Sequence, residues 1–235
     1  MYRLPQKLVA EFLGTFSLIF LGAGSICADV YLTSAGQAGV GPLGTAAAYG
    51  LAMAISVTAL GHVSGGHFNP AITLGFWVTR RLGTLDSICY CIAQLLGGVA
   101  AAYTVKLVLP DSTWTAKALA SITPDLAGDF TRAHGIALEA VMTFFLVLVF
   151  FATAVDARGA LNRGAGFAIG LTVMMGALFG GPFTGAALNP ARAFGPALAA
   201  SHWQNHGVYW AGPLLGGVIA AFLYDRVFLR DQPPG

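Results

Sequence analysis

Charge is what this sequence has least of. Its 235 residues include 12 Lys and Arg and 10 Asp and Glu, so charged residues make up 9% of the chain, against roughly a quarter in soluble domains. That is too few to build a solvated shell. The net charge is only +2 and no basic run occurs, which excludes nucleic acid as a partner, because phosphate binding needs clustered Lys and Arg. Cysteine is scarce too: Cys27, Cys89 and Cys91 sit in or beside apolar segments and give neither a disulfide framework nor a metal-ligand set. No Ser-His-Asp set, metal cluster or phosphate loop can be placed, so no enzyme activity, metal or cofactor is expected.

What the chain has in abundance is apolar surface and glycine: 56% apolar residues and 31 Gly, with a mean hydropathy of +0.72. This composition is that of a membrane protein, with the lipid bilayer as its first partner. Six stretches are long enough to cross a ~30 Å hydrocarbon core, at about 8–28, 42–61, 86–108, 134–155, 164–181 and 207–228. The first follows charged residues as a signal peptide would, but it spans about 21 residues and is read as a retained helix. Two apolar pieces remain, 69–79 and 189–199. At ~1.5 Å per residue such pieces reach only ~16 Å, half of the core.

The sequence also repeats itself. "AYGLA" at 48–52 returns as "AIGLT" at 168–172, and "VSGGHFNPA" at 63–71 returns as "FTGAALNPA" at 183–191, both offset by 120 residues. "QLLGGVAAA" at 94–102 matches "PLLGGVIAA" at 213–221, and Glu11 in the first span pairs with Glu139 in the fourth. Each half, about 8–108 and 134–228 of one transmembrane domain over 1–235, therefore holds three spans and a half-length helix. Three being odd, the second half enters the bilayer from the opposite side. The fold expected is an all-α membrane protein of six transmembrane helices and two re-entrant half-helices in an inverted-topology repeat. Basic residues orient it. With the N-terminus inside, Arg3, Lys7, Arg80, Arg81, Arg158, Arg163, Arg226 and Arg230 fall on the inner side and Lys106, Lys117 and Arg132 on the outer, which puts both termini in the cytoplasm.

A helix that ends at mid-bilayer must bury its free N–H groups, and such backbone is tolerated there only inside protein or beside water. Asn69 and Asn189 are good N-caps, and Pro70 and Pro190 suit the first helical position. The small residues before them, "SGGHF" and "TGAAL", are expected to be extended, with carbonyls on a shared cavity. Arg192 stands in the first turn of the second half-helix. A charge at that depth costs about 2.5–3.5 kcal/mol even on lenient insertion scales, which marks it as functional.

With two Asn-Pro-Ala motifs in register, "HVSGGHFNPAITLG" and "ALNPARAFGP", the chain resembles the aquaporin, or major intrinsic protein, family along nearly its whole length. The resemblance implies a passive pore for water and small neutral solutes that excludes protons and ions. It implies a pore midplane at Asn69, Pro70, Ala71, Asn189, Pro190 and Ala191, and a selectivity filter at Tyr49, Ala177, Ala186 and Arg192. Pore-lining backbone is expected from Gly65, Gly66, His67, Gly185 and Ala187, and loop support from Glu11 and Glu139. Typical water-selective members have His at the position of Ala177; typical glycerol facilitators have Trp for Tyr49, Phe for Ala186 and Asp for Ala193. The chain matches neither filter, but Ala193, Ala197 and "YW" at 209–210 resemble the water branch. A water channel with a widened filter is expected, with ammonia, hydrogen peroxide and urea as further solutes; the alternatives are a glycerol facilitator and, from another class, an ion-coupled secondary transporter, whose broken-helix repeats look alike. A homotetramer in a bacterial inner membrane completes the expectation.

Overall fold

The computed structural model describes residues 2–110, 113–158 and 164–229; Arg163 and Arg230, two of the basic residues used for orientation, lie outside the described residues. Among them six helices are long and apolar enough to cross a membrane. These are α1 (Leu4–Ser34), α2 (Gly41–Ser64), α4 (Thr84–Val108), α6 (Arg132–Phe150), α7 (Ala165–Thr184) and α9 (Val208–Leu223). α6 and α9 each run on through a π-helical turn, Phe151–Val155 and Tyr224–Phe228. The two short helices that open at Pro are α3 (Pro70–Val78) and α8 (Pro190–Ala200). α1 outruns its apolar stretch at both ends, taking in Lys7 and Asp29, and the Asp29 carboxylate then accepts from Gly41 N–H at 2.8 Å, fixing the turn into α2. The long connection between the halves contains an unexpected short helix, α5 (Thr113–Ser121). Its Ala118 and the following Ile122 are fully buried against Ala23, Cys27, Val30 and Val105 of α1 and α4.

Polarity is distributed inside out. Leu51, Ile55, Phe167, Met175, Phe179 and Leu215 are exposed, whereas Glu11, Thr73, Gln94, Glu139 and Thr143 are wholly buried. Lipid solvates the first set, and Glu11, Thr73, Gln94 and Glu139 find partners within the protein. α1 packs on α2 and α4, α6 packs on α7 and α9, and α2 meets α7 at the centre. The half-helices cross over: α3 lies on α9 and α8 lies on α4. Glycines permit this. A Cβ on Gly98 of α4 would stand 2.6 Å from the Ala191 carbonyl oxygen of α8, and one on Gly217 of α9 would stand 2.9 Å from that of Ala71 in α3.

Such contacts leave no room for a side chain, and overpacking costs about 1–3 kcal/mol. Gly98→Val is therefore expected to lower the thermal unfolding midpoint in detergent by several degrees. Gly24→Ala on α1, where an added Cβ meets nothing within 4 Å, is expected to leave it unchanged or raise it slightly, since Ala favours a helix interior over Gly.

Candidate functional site

The short helices meet tip to tip. Asn69 caps α3 by accepting from Ala71 N–H at 2.8 Å, and Asn189 caps α8 by accepting from Ala191 N–H at 2.9 Å. The amide nitrogens reach across the contact: Asn69 Nδ2 donates to the Leu188 carbonyl at 2.9 Å and Asn189 Nδ2 to the Phe68 carbonyl at 2.8 Å. Each NH2 carries two donors. One hydrogen holds the opposite loop and sets the direction in which the other points.

The approach to each asparagine is not extended, which corrects the sequence expectation. Phe68, Ala186 and Leu188 have φ of 51°, 45° and 53°, in a region costly for residues with a Cβ, about 1–3 kcal/mol each. Buried carboxylates explain the choice. Successive N–H groups in such a turn form a concave anion nest. Glu11 Oε1 accepts from Ser64 Oγ at 2.6 Å and His67 N–H at 3.0 Å, and its Oε2 from Phe68 N–H and Gln94 Nε2, both at 2.7 Å. Glu139 repeats this, accepting from Thr184 Oγ1 at 2.7 Å, Ala187 N–H at 2.9 Å and Leu188 N–H at 2.8 Å.

The four residues expected at the filter come together. Tyr49, Ala177, Ala186 and Arg192 line both a vestibule of about 400 Å3 and, beneath it, a cavity of about 20 Å3 that reaches Asn69 and Asn189. The smaller space holds about one water, which needs roughly 10–15 Å3. Arg192 is 5% exposed. Its Nη2 donates to the Gly185 carbonyl at 3.0 Å, its Cζ lies 5.0 Å from the centre of the Tyr49 ring, and among the described residues its Nη1 has no hydrogen-bond partner. A second vestibule, about 540 Å3, is bounded by Val57, His62, Gly65, Thr153 and Asp156. Of the backbone positions, Gly185 borders the first vestibule, Gly65 the second and Ala187 the narrow cavity. Gly66 and His67 are buried between Gly65 and Asn69, and the His67 ring packs on Phe76 with Nδ1 3.1 Å from Thr73 Oγ1.

A family model described as "Major intrinsic protein" matches residues 2–224. The chain is 42% identical over 228 residues to aquaporin TIP4-4 of Zea mays, covering 96% of this chain and 88% of that one. It is 39% identical over 235 residues to a probable aquaporin TIP3-2 of Arabidopsis thaliana (96% and 85%) and 38% identical over 222 residues to aquaporin-4 of Mus musculus (94% and 67%). The chain belongs to the major intrinsic protein family. It is an integral, multi-pass membrane protein. The fold matches the crystal structure of the aquaglyceroporin from Plasmodium falciparum with a TM-score of 0.85 at 22% identity, covering 97% of this chain and 98% of that one.

Within this family member, several partners were not visible in the motifs. Gln94 joins Glu11 to Thr73, donating to Thr73 Oγ1 at 2.9 Å, and Tyr90 O–H donates to the Ser64 carbonyl at 2.8 Å. The repeat alignment marks Ser64 and Thr184 as equivalent hydroxyls, a signal for the Glu partners; Gln94 faces Pro213 in that alignment and gives none. Beside the first vestibule, Asp125 pins the connecting segment to the loop after α8. It accepts from His202 Nε2 at 2.8 Å, Asn205 Nδ2 at 3.0 Å and Leu126 N–H at 2.8 Å. Partial burial pushes the Asp125 carboxyl up, but Asn205, His202 and Leu126 outweigh it and hold it below the ordinary carboxylate range. The link contributes fully above about pH 4 and is lost as pH falls through the lowered value.

Replacing a carboxylate oxygen by NH2 in a nest sets donor against donor. Glu139→Gln is expected to cost on the order of 1–3 kcal/mol of stability, the penalty of an unsatisfied buried donor, read as a lowered unfolding midpoint by intrinsic tryptophan fluorescence in detergent.

Proposed function

We propose that this chain is a passive water channel in which solutes pass between the vestibules through the narrow cavity at Tyr49, Ala177, Ala186 and Arg192. The observation that carries the reading is the unpartnered Nη1 of a buried arginine beside a cavity of about 20 Å3. A neutral solute shedding its hydration can accept from it, while a cation meets a fixed positive charge. Beyond it, the positive ends of α3 and α8 face each other. The free hydrogens of Asn69 and Asn189 give a water oxygen two donors side by side, so its own hydrogens point away along the pore. That orientation breaks a water wire and opposes proton transfer. Pro70, Ala71, Pro190 and Ala191 hold the two caps in place, and Glu11 and Glu139 support the loops behind them.

The aquaporin names of the plant and mouse relatives support water as the main solute. Ammonia, hydrogen peroxide and urea are further candidates, since Ala177 and Ala186 present only methyl groups opposite Arg192. The same reading takes the chain as one domain of two repeats, 8–108 and 134–228, assembled as a homotetramer with both termini in the cytoplasm of a bacterial inner membrane.

Stopped-flow osmotic measurements on proteoliposomes, solute by solute, test the proposal. Water permeability well above that of empty vesicles is expected, with no proton leak in a pH-dye assay. Glycerol flux equal to water flux would turn the reading to a glycerol facilitator, and flux that collapses with the proton gradient would turn it to a coupled transporter. Ala177→His adds bulk and a donor, and is expected to reduce urea and hydrogen peroxide flux about ten-fold or more with less effect on water.

A further inference from the structure

We propose that Gly22 is a specificity-determining positioning residue. Its bare α-carbon sets how far the Tyr49 ring stands back from Arg192, and with it the aperture. The inference rests on the filter reading above and extends it to a helix that contributes no filter residue of its own.

Gly22 is buried on the face of α1 that carries Glu11, Gly14 and Leu18. The Tyr49 ring lies flat against it: a Cβ built on Gly22 would fall on the ring's Cδ1–Cε1 edge, far inside van der Waals contact. The Arg192 guanidinium lies over the ring, its Cζ 5.0 Å from the centroid. Tyr49 is 5% exposed, and among the described residues its hydroxyl has no hydrogen-bond partner, so Gly22 and the Arg192 guanidinium are what position the ring. Arg192 is held by the Gly185 carbonyl and by its place in the first turn of α8, so a ring pushed off α1 has to move across the cavity. Where the narrow cavity beneath the vestibule is about 20 Å3 and one water takes roughly 10–15 Å3, a displacement of a methyl radius decides what fits. α1 seats a second ring in the same way: a Cβ on Gly14, two turns earlier, would stand far inside van der Waals contact of Cε1 of Phe68, the residue before Asn69.

The test is a cycle of four channels in proteoliposomes, wild type, Gly22→Ala, Tyr49→Ala and the double variant, with water, hydrogen peroxide and urea as probes and Gly24→Ala as the control on the same helix. A methyl in a tight apolar site is worth about ten-fold or more in discrimination. Gly22→Ala is therefore expected to lower water permeability and to lower hydrogen peroxide and urea permeability about ten-fold further, or to abolish whichever of the two the wild type passes. Gly24→Ala is expected to match wild type, and the double variant to match Tyr49→Ala, because the ring through which Gly22 acts is gone. If Gly22→Ala is poorly folded, restored folding and flux in the double variant support the proposal. A Gly22→Ala defect that persists undiminished without the Tyr49 ring overturns it, as does wild-type permeability to all probes in Gly22→Ala. A solute profile unchanged by Tyr49→Ala alone instead overturns the filter reading on which the proposal stands.

Discussion

Two buried carboxylates hold the centre of this molecule together. A helix that begins at mid-bilayer brings unpaired N–H groups into a region where water cannot serve them, at several kcal/mol each. Glu11 and Glu139 take the N–H groups of the loop that precedes each half-helix, and Asn69 and Asn189 take those of the first helical turn. A carboxylate is itself costly to bury, and becomes tolerable only because its lone pairs meet several donors in a fixed nest. The strain at Phe68 and Leu188 follows from this requirement, since only a left-handed turn aims two consecutive N–H groups at one carboxylate. With the loops fixed, the two asparagine amides cross-link them, and the tips of α3 and α8 have no freedom to drift apart.

The repeat is close in these supports and departs from symmetry where direction matters. Ser64 and Thr184 serve the same oxygen of their glutamates, and His67 and Phe68 correspond to Ala187 and Leu188. Three polar groups of the first half have no counterpart: Thr73, Gln94 and the His67 ring stand where the second half has Ala193, Pro213 and Ala187. Ile72 in turn stands where the second half has Arg192. In the first half the space behind the loop is filled by a hydrogen-bonded network of Glu11, Gln94, Thr73 and His67. In the second, Ala187, Ala193 and Pro213 take those places, and Arg192 lines the cavity instead. A symmetric pore would carry two such charges. The arginine lies on one side of the contact between α3 and α8 alone, so the two ends of the passage differ, with Arg192 on the first vestibule and Asp156 on the second.

Much of the fold was legible in the sequence because lipid imposes simple rules: spans must be long and apolar, and charge within them must be explained. Repeat offsets supplied the inverted halves, and the register of Asn69 with Asn189 and of Glu11 with Glu139 named the residues around which the loops are built. Their partners were less legible. Gln94 reaches a carboxylate 83 residues away, on a different helix, and nothing in the local pattern of α4 announces it. The bent approach to each asparagine was misread as extended because Phe and Leu are poor candidates for positive φ; the cost is met by the carboxylate, a partner in another helix. α5 was missed because its apolar content is low, and its burial comes from Ala118 and Ile122 fitting a surface made by α1 and α4.

On the proposed filter, side chains facing the aperture do not alone define the passage. Ala177 and Ala186 remove bulk, and from the sequence that suggested a wide constriction, yet beneath the vestibule they line the space narrows to about 20 Å3. Leu18, Leu188 and the Tyr49 ring close in from other sides. Ala186 has its own backing, since Met142 of α6 fits against Gly180 of α7 and fills the volume behind it. Close-packed interiors transmit a change of one methylene to their neighbours. The wall of a channel barely wider than a water molecule therefore has the selectivity of its second layer as well as its first, and that layer lies on helices whose sequence, read alone, looks like ordinary packing.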